Sequence, residues 1–143
     1  MLYRGLGSLP HYNADIESDE LLPGQVAEWR DCVHKSDGLL LSCPEYGGGI
    51  PGVFKNALDW LVGDPRFQGK HVCLLSASSR SLHAQSALRL VLQTMAAVVV
   101  ESASTTIPLL GTSLTASDIV QNEGFSTALR KAPSEFVDAI RRP

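Results

Sequence analysis

The residues best placed to do chemistry are Pro44-Glu45-Tyr46-Gly47-Gly48-Gly49-Ile50-Pro51, where an acid, an aromatic and three consecutive glycines follow an apolar run. Successive glycines take every side chain off the backbone, so a planar ligand can lie against the peptide groups and use their N–H and C=O as partners. A flat heterocycle such as a flavin, whose pyrimidine edge alternates donors and acceptors, suits that surface. A helix opening at Pro51 would also aim its positive end at the loop and favour negative charge on a reduced ring. A glycine-rich passage from strand to helix also occurs simply as a turn, and these residues alone leave both readings open.

Other candidates are weaker. His11, His34, His71 and His83 are scattered with no second ligand at metal spacing, so no metal site is expected. Cys43 precedes the loop and reads as a small buried residue at a strand end. Glu45 and Asp59 form no evident acid–base pair; Asp59 reads as a surface or interface residue and Trp60 as part of the core or of a subunit contact. No Ser-His-Asp or Cys-His arrangement follows from spacing, and no residue is assigned a catalytic role.

These residues need elements to hold them. Gly38–Cys43, His71–Ser76 and Ala97–Ser102 are short apolar runs between polar or turn residues, the pattern of buried parallel strands. Val53, Phe54, Ala57, Leu58 and Leu61 share one helical face, with Pro51 as the first residue and Gly63 at the end. Leu88, Val91, Leu92 and Met95 mark a second helix starting near Leu82, and Val26, Trp29 and Val33 a third before the first strand. Phe125, Leu129, Phe136, Val137 and Ile140 predict one or two more, with a break at Pro133. Residues 105–122 read as loop with at most a short turn, and Leu2-Tyr3 as the tail of a strand. Strands alternating with helices predict one α/β domain over residues 1–143, a parallel sheet with helices on both faces, hence three layers.

The run PEYGGGIPGVFKNALDWLVG, residues 44–63, resembles the signature of the NADPH-dependent FMN reductase family, usually Pro-Glu-Tyr-Asn-x-Ser-(Ile/Val)-Pro-Gly followed by Lys-Asn-Ala-(Ile/Leu)-Asp-Trp. Residues 9–17, LPHYNADIE, are similar to the family's segment after its second strand, and residues 84–95, AQSALRLVLQTM, to its helix after the fourth. The resemblance implies a flavodoxin-like, doubly wound sheet and places Pro44, Glu45, Tyr46, Gly47 and Gly48 along an FMN ring, with Gly49 and Ile50 completing the loop. Gly47 stands where the family usually has Asn and Gly49 where it often has Ser, which removes two side-chain donors. Lys55 and Asn56 fit the pattern without a role derivable from sequence. A second family loop that touches the ring corresponds to Ser76-Ala77-Ser78-Ser79-Arg80-Ser81; Ser76 and Ser78 are its candidate contacts, and Arg80 is either a ring neighbour or a solvated charge.

Nothing before Leu9 resembles the Gly-Ser-x-Arg-x-x-Ser-x-Asn loop that holds FMN phosphate in the family, so the domain is expected to be N-terminally truncated by roughly 30 residues, one strand–helix unit. In the order 2-1-3-4-5 the first strand lies between the second and third, so its loss would leave the strand at residues 38–43 with an unpaired edge. Three explanations compete: a start further upstream, a true truncation, or a partner chain covering the edge. The resemblance implies FMN and NADPH or NADH as cofactors, electron transfer to a small-molecule acceptor such as free flavin or a quinone, and a homodimer or homotetramer. The rival expectation is a non-catalytic remnant that does not hold FMN. An electron carrier without a nicotinamide site would need an acidic docking surface, which a net charge of −3 does not supply. With 12 basic against 15 acidic residues there is no stripe for nucleic acid, and no apolar run approaches the roughly 20 residues of a membrane helix. The three cysteines read as reduced and mostly buried, in a cytosolic (cytoplasmic) protein.

Overall fold

The computed structural model describes residues 1–18, 20–109 and 111–142. Three apolar runs become strands of one parallel sheet: β1 (Gly38–Ser42), β2 (His71–Ser76) and β3 (Val98–Val99), with a further short strand β4 (Thr105–Thr106). Around it lie α1 (Gly24–Lys35), α2 (Gly52–Val62), α3 (Leu82–Thr94), α4 (Ala116–Gln121) and α5 (Glu123–Arg141). Strand β2 is central. It pairs β1 from Gly38 opposite His71 to Ser42 opposite Leu75, and β3 and β4 on its other side.

Alternation along β2 separates two cores. Val72 and Leu74 face Val26, Trp29 and Val33 of α1, Leu58 and Leu61 of α2, and Leu88 and Leu92 of α3 in one cluster. Cys73 and Leu75 face Phe136 and Ile140 of α5, with Val100 and Ala103, in the other. The result is the expected three-layer α/β architecture. Leu40, opposite Cys73 in register and so on the α5 side, is 49% exposed, because α5 packs closely on β2 and on Gly38 at the start of β1 but leaves an open groove that Leu40 shares with Phe136, Val137 and Ile140. Among the described residues β1 pairs only with β2, so its outer edge is open.

Four expectations need correction. The strand expected at residues 97–102 is only two residues long, because Val100–Ser104 folds into a turn: His71 pairs with Val98 and Leu75 with Thr105, so four steps along β2 are matched by seven on its neighbour. Ser104 bridges the gap with its hydroxyl, which accepts from the Leu74 N–H at 3.0 Å and donates to Val100 O at 3.0 Å. Residues 105–122 are not all loop, since they hold β4 and α4; the latter opens on a capping box between Thr115 and Asp118. Pro133 does not break the last helix: α5 runs through it, with Ala132 and Phe136 buried on either side. Burial of that stripe offsets the cost of a proline inside a helix, a lost backbone bond and a ring clash that together come to about 3 kcal/mol. Leu2-Tyr3 form no strand; Tyr3 instead packs its ring on Trp29 with centroids 4.7 Å apart.

The N-terminal segment is tied to α1 and α2 by buried polar contacts. Arg30, 5% exposed, donates from Nε to Trp60 O at 2.7 Å and from Nη2 to Glu17 Oε1 at 2.6 Å. A guanidinium beside the last carbonyls of α2 is favoured by the helix dipole, and Glu17 balances its charge.

Candidate active site

The loop leaving β1 is a tight turn. Tyr46 and Gly49 exchange both backbone hydrogen bonds at 3.1 Å, and the two residues between them, Gly47 and Gly48, have φ of +58° and +74°. Positive φ at both central positions defines the turn type that favours Gly or Asn at the first and Gly at the second. Gly47 therefore does the same backbone work as the Asn more usual there. A Cβ at Gly47, Gly48 or Gly49 would find nothing within 4 Å, so this face of the loop is open to a ligand. The N–H groups of Gly47 and Gly48 find no protein acceptor among the described residues. Ile50 is half-buried and packs against the larger core, anchoring the turn, and Pro51 sits at the N-cap of α2, one residue before the helix.

The loop leaving β2 is organised by its own hydroxyls. Ser76 is buried; its Oγ donates to Ser78 O at 2.9 Å and accepts from Ser78 N–H at 3.3 Å, and Ser78 Oγ accepts from Arg80 N–H at 3.1 Å. The chain then enters α3 through Ser81.

Between the two loops lies a cleft of about 560 Å³ beyond the carboxyl ends of β1 and β2. Pro44, Glu45, Tyr46 and Ser78 line it, with Tyr46 70% exposed at the mouth. Gly47, Gly48, Gly49, Ile50 and Ser76 are not lining residues: the glycines form the turn next to Tyr46, and Ser76 lies beneath Ser78. Sequence reasoning did not single out Ser42, Ala77, Ser81 or Leu109, which also line it. Leu109 arrives because its N–H donates to Ala77 O at 2.9 Å, a contact without a sequence signal. Arg80 is on the lining as well, the one cationic side chain among the described lining residues. Cys43, 2% exposed, closes the floor; burial pushes its thiol above the usual range, so it stays protonated at neutral pH. Both loops start at strand ends and precede helices, the position where open α/β sheets take ligands.

The helical half of the motif has a different task. Asn56 accepts from Tyr12 N–H at 2.8 Å and donates from Nδ2 to Pro10 O at 2.9 Å, while Trp60, fully buried, donates from Nε1 to the same carbonyl at 2.8 Å. Lys55 pairs with Asp59 one turn on. Asn56 and Trp60 clasp the N-terminal loop, and neither they nor Lys55 and Asp59 line the cleft.

A parallel α/β domain with a glycine turn and a hydroxyl-lined loop facing each other across the strand ends defines a class of ligand-binding folds. A profile of NADPH-dependent FMN reductases matches residues 3–109, and the chain belongs to that family. It is 33% identical over 75 residues, 51% of this chain and 40% of that protein, to a quinone reductase of Escherichia coli (strain K12). It is 44% identical over 55 residues, 38% of this chain and 29% of that protein, to a 2-hydroxy-1,4-benzoquinone reductase of Burkholderia sp. Among solved structures it is similar to FerB, a flavoenzyme NAD(P)H:(acceptor) oxidoreductase from Paracoccus denitrificans, with a TM-score of 0.77 and 30% identity, covering 94% of this chain and 76% of that one. The matched stretch thus spans well under half the length of the curated relatives.

Proposed function

We propose that the cleft between residues 42–46 and 77–81 holds the ring of FMN and that the chain acts as an NAD(P)H-dependent oxidoreductase with a small-molecule electron acceptor, such as a quinone or free flavin. The observation that carries this reading is the open glycine turn. Next to Tyr46 at the mouth of the cleft it offers N–H groups without a protein acceptor among the described residues and open space where side chains would stand, with hydroxyls on the opposite wall, which fits the flat, alternating edge of the ring. Pro44, Glu45 and Tyr46 supply the first wall, Gly47, Gly48, Gly49 and Ile50 form the turn that continues from it, and Ser78 supplies the second wall with Ser76 beneath it. When bound, FMN would take two electrons from NADPH or NADH and pass them on, the part of the chemistry that belongs to the cofactor. The chain's own residues position the ring and exclude water from its edge, while the N-terminus of α2 at Gly52 favours negative charge nearby. We further infer a homodimer or homotetramer in the cytosol. Supporting this, Val62 and Leu90 are 62% and 65% exposed beside a groove of about 580 Å³ between α2 and α3, and the three cysteines are unpaired.

The test is a titration of FMN with the purified 143-residue chain, following quenching of flavin fluorescence, with oxidation of NADPH and NADH in the presence of a quinone as the second step. Saturable one-to-one binding and acceptor-dependent oxidation are expected. Flavin fluorescence unchanged at high micromolar protein would overturn the reading.

A further inference from the structure

The two walls of the cleft belong to different parts of the chain, and something must set the distance between them. Among the described residues no backbone–backbone bond joins residues 44–50 to residues 77–85. What crosses is a side chain: Glu45 Oε2 accepts from the Ala84 N–H, in the first turn of α3, at 2.9 Å. A longer contact, Gln85 Nε2 to Cys43 O at 3.4 Å, runs alongside it. Helix α3 has room for this acid. Its own N-cap, Ser81, makes no side-chain capping bond, and its first turn contains no acidic residue. An orphan N–H at the positive end of a helix therefore receives its carboxylate from 39 residues away.

From this we infer that Glu45 is a positioning residue: through its bond to Ala84 it straps the glycine turn to the start of α3 and fixes the cleft width that a ring would need. This deepens the proposed function and rests on it for its consequence, though the strap can be read without a ligand. Glu45 immediately precedes Tyr46, whose N–H and C=O close the turn, so immobilising one places the other. With an oxygen committed to α3, Glu45 acts on a ring through the position of Tyr46–Gly49.

The experiment compares wild type, Glu45→Gln, Glu45→Ala and the double variant Glu45→Ala/His83→Glu. His83 is exposed in the first turn of α3, so a glutamate there restores the charge at the helix end without rebuilding the strap. Three readouts are used: FMN affinity by fluorescence, thermal midpoint, and amide hydrogen exchange of Ala84 and residues 47–49. Glu45→Gln keeps an acceptor at the same reach and should bind FMN within about threefold of wild type, whereas Glu45→Ala should be weaker by about tenfold. The double variant should recover the midpoint but not the affinity. In Glu45→Ala the Ala84 amide and those of residues 47–49 should exchange at least about tenfold faster. Recovery of both midpoint and affinity in the double variant would show that Glu45 only stabilises α3 and would overturn the strap. So would unchanged exchange at Ala84 and in the turn, a result readable even if wild type bound no FMN, which would sink the flavin reading alone.

Discussion

Replacing Gly47 by Ala isolates the backbone requirement of the turn. Its φ of +58° lies in the left-handed region, and a Cβ there would touch nothing within 4 Å, so the cost is torsional rather than steric. An L-residue in that conformation costs about 1–2 kcal/mol. If the turn holds, the cost falls on the whole chain and lowers the melting temperature by on the order of 5 °C for a domain of this size. If the turn opens instead, stability is kept and the cost appears in the ligand, as about a five- to thirtyfold loss of FMN affinity. Two further variants sharpen the test. Gly47→Asn should recover most of the loss, because Asn tolerates the left-handed region. Gly49→Ala, next to it but without a positive φ and equally open in space, should be close to neutral. Differential scanning calorimetry and flavin titration on all three give both quantities. Equal behaviour of Gly47→Ala and Gly49→Ala would refute the assignment of the turn.

Asn56→Ala removes both bonds to the Pro10–Tyr12 loop and should destabilise the protein by about 1–3 kcal/mol, with proteolysis beginning within residues 1–16; an unchanged cleavage pattern would contradict the clasp. Asp64, whose side chain is 5% exposed, would have its carboxyl raised by burial, but hydrogen bonds from the Arg66 side chain and N–H outweigh this and hold it below the usual 3.8. Because the folded value is depressed, its stabilisation is full above that ordinary value and is lost as pH falls through the folded one. The melting-temperature gap between wild type and Asp64→Asn should therefore narrow below about pH 4, and a gap that is flat down to pH 2 would show that the ion pair does not form. Of the three thiols, half-buried Cys32 should react first with Ellman's reagent, whereas burial raises the pKa of Cys43 and Cys73 and should delay them until unfolding; Cys43 reacting as fast as Cys32 would place the cleft floor in solvent.

Elements with a local cause were legible in the sequence. The β2 run is apolar on both faces and starts and stops at His71 and Ser76 because polar or turn residues flank it. The glycine turn showed itself by composition, and α3 by its stripe and its start at Leu82. What escaped depends on partners far along the chain. The split between β3 and β4 rests on the Ser104 hydroxyl reaching the Leu74 amide, and nothing in AVVVES announces it. Pro133 misleads because its intrinsic cost is local while the burial of Ala132 and Phe136 is not. Thr115 and Asp118 did carry a capping signal, but α4 is only six residues long and has no apolar periodicity to go with it.

The candidate site shows the same division within a single motif. From Pro44 to Gly49 the residue types answer to the turn and to α3: the two central positions of the turn need residues that accept positive φ, and an acid is useful where an uncapped helix start lies opposite. From Lys55 to Trp60 they answer to another demand. Asn56 can give and take one hydrogen bond at once, which matches the Pro10 carbonyl and Tyr12 amide, and Trp60 fills the core while its ring N–H reaches the same carbonyl. The run is long because α2 joins two jobs, starting beneath the glycine turn and holding the N-terminal loop along its length. Loosening that clasp leaves the turn's own bonds in place, so Asn56→Ala should cost stability before it costs flavin affinity, whereas Glu45→Ala should do the reverse.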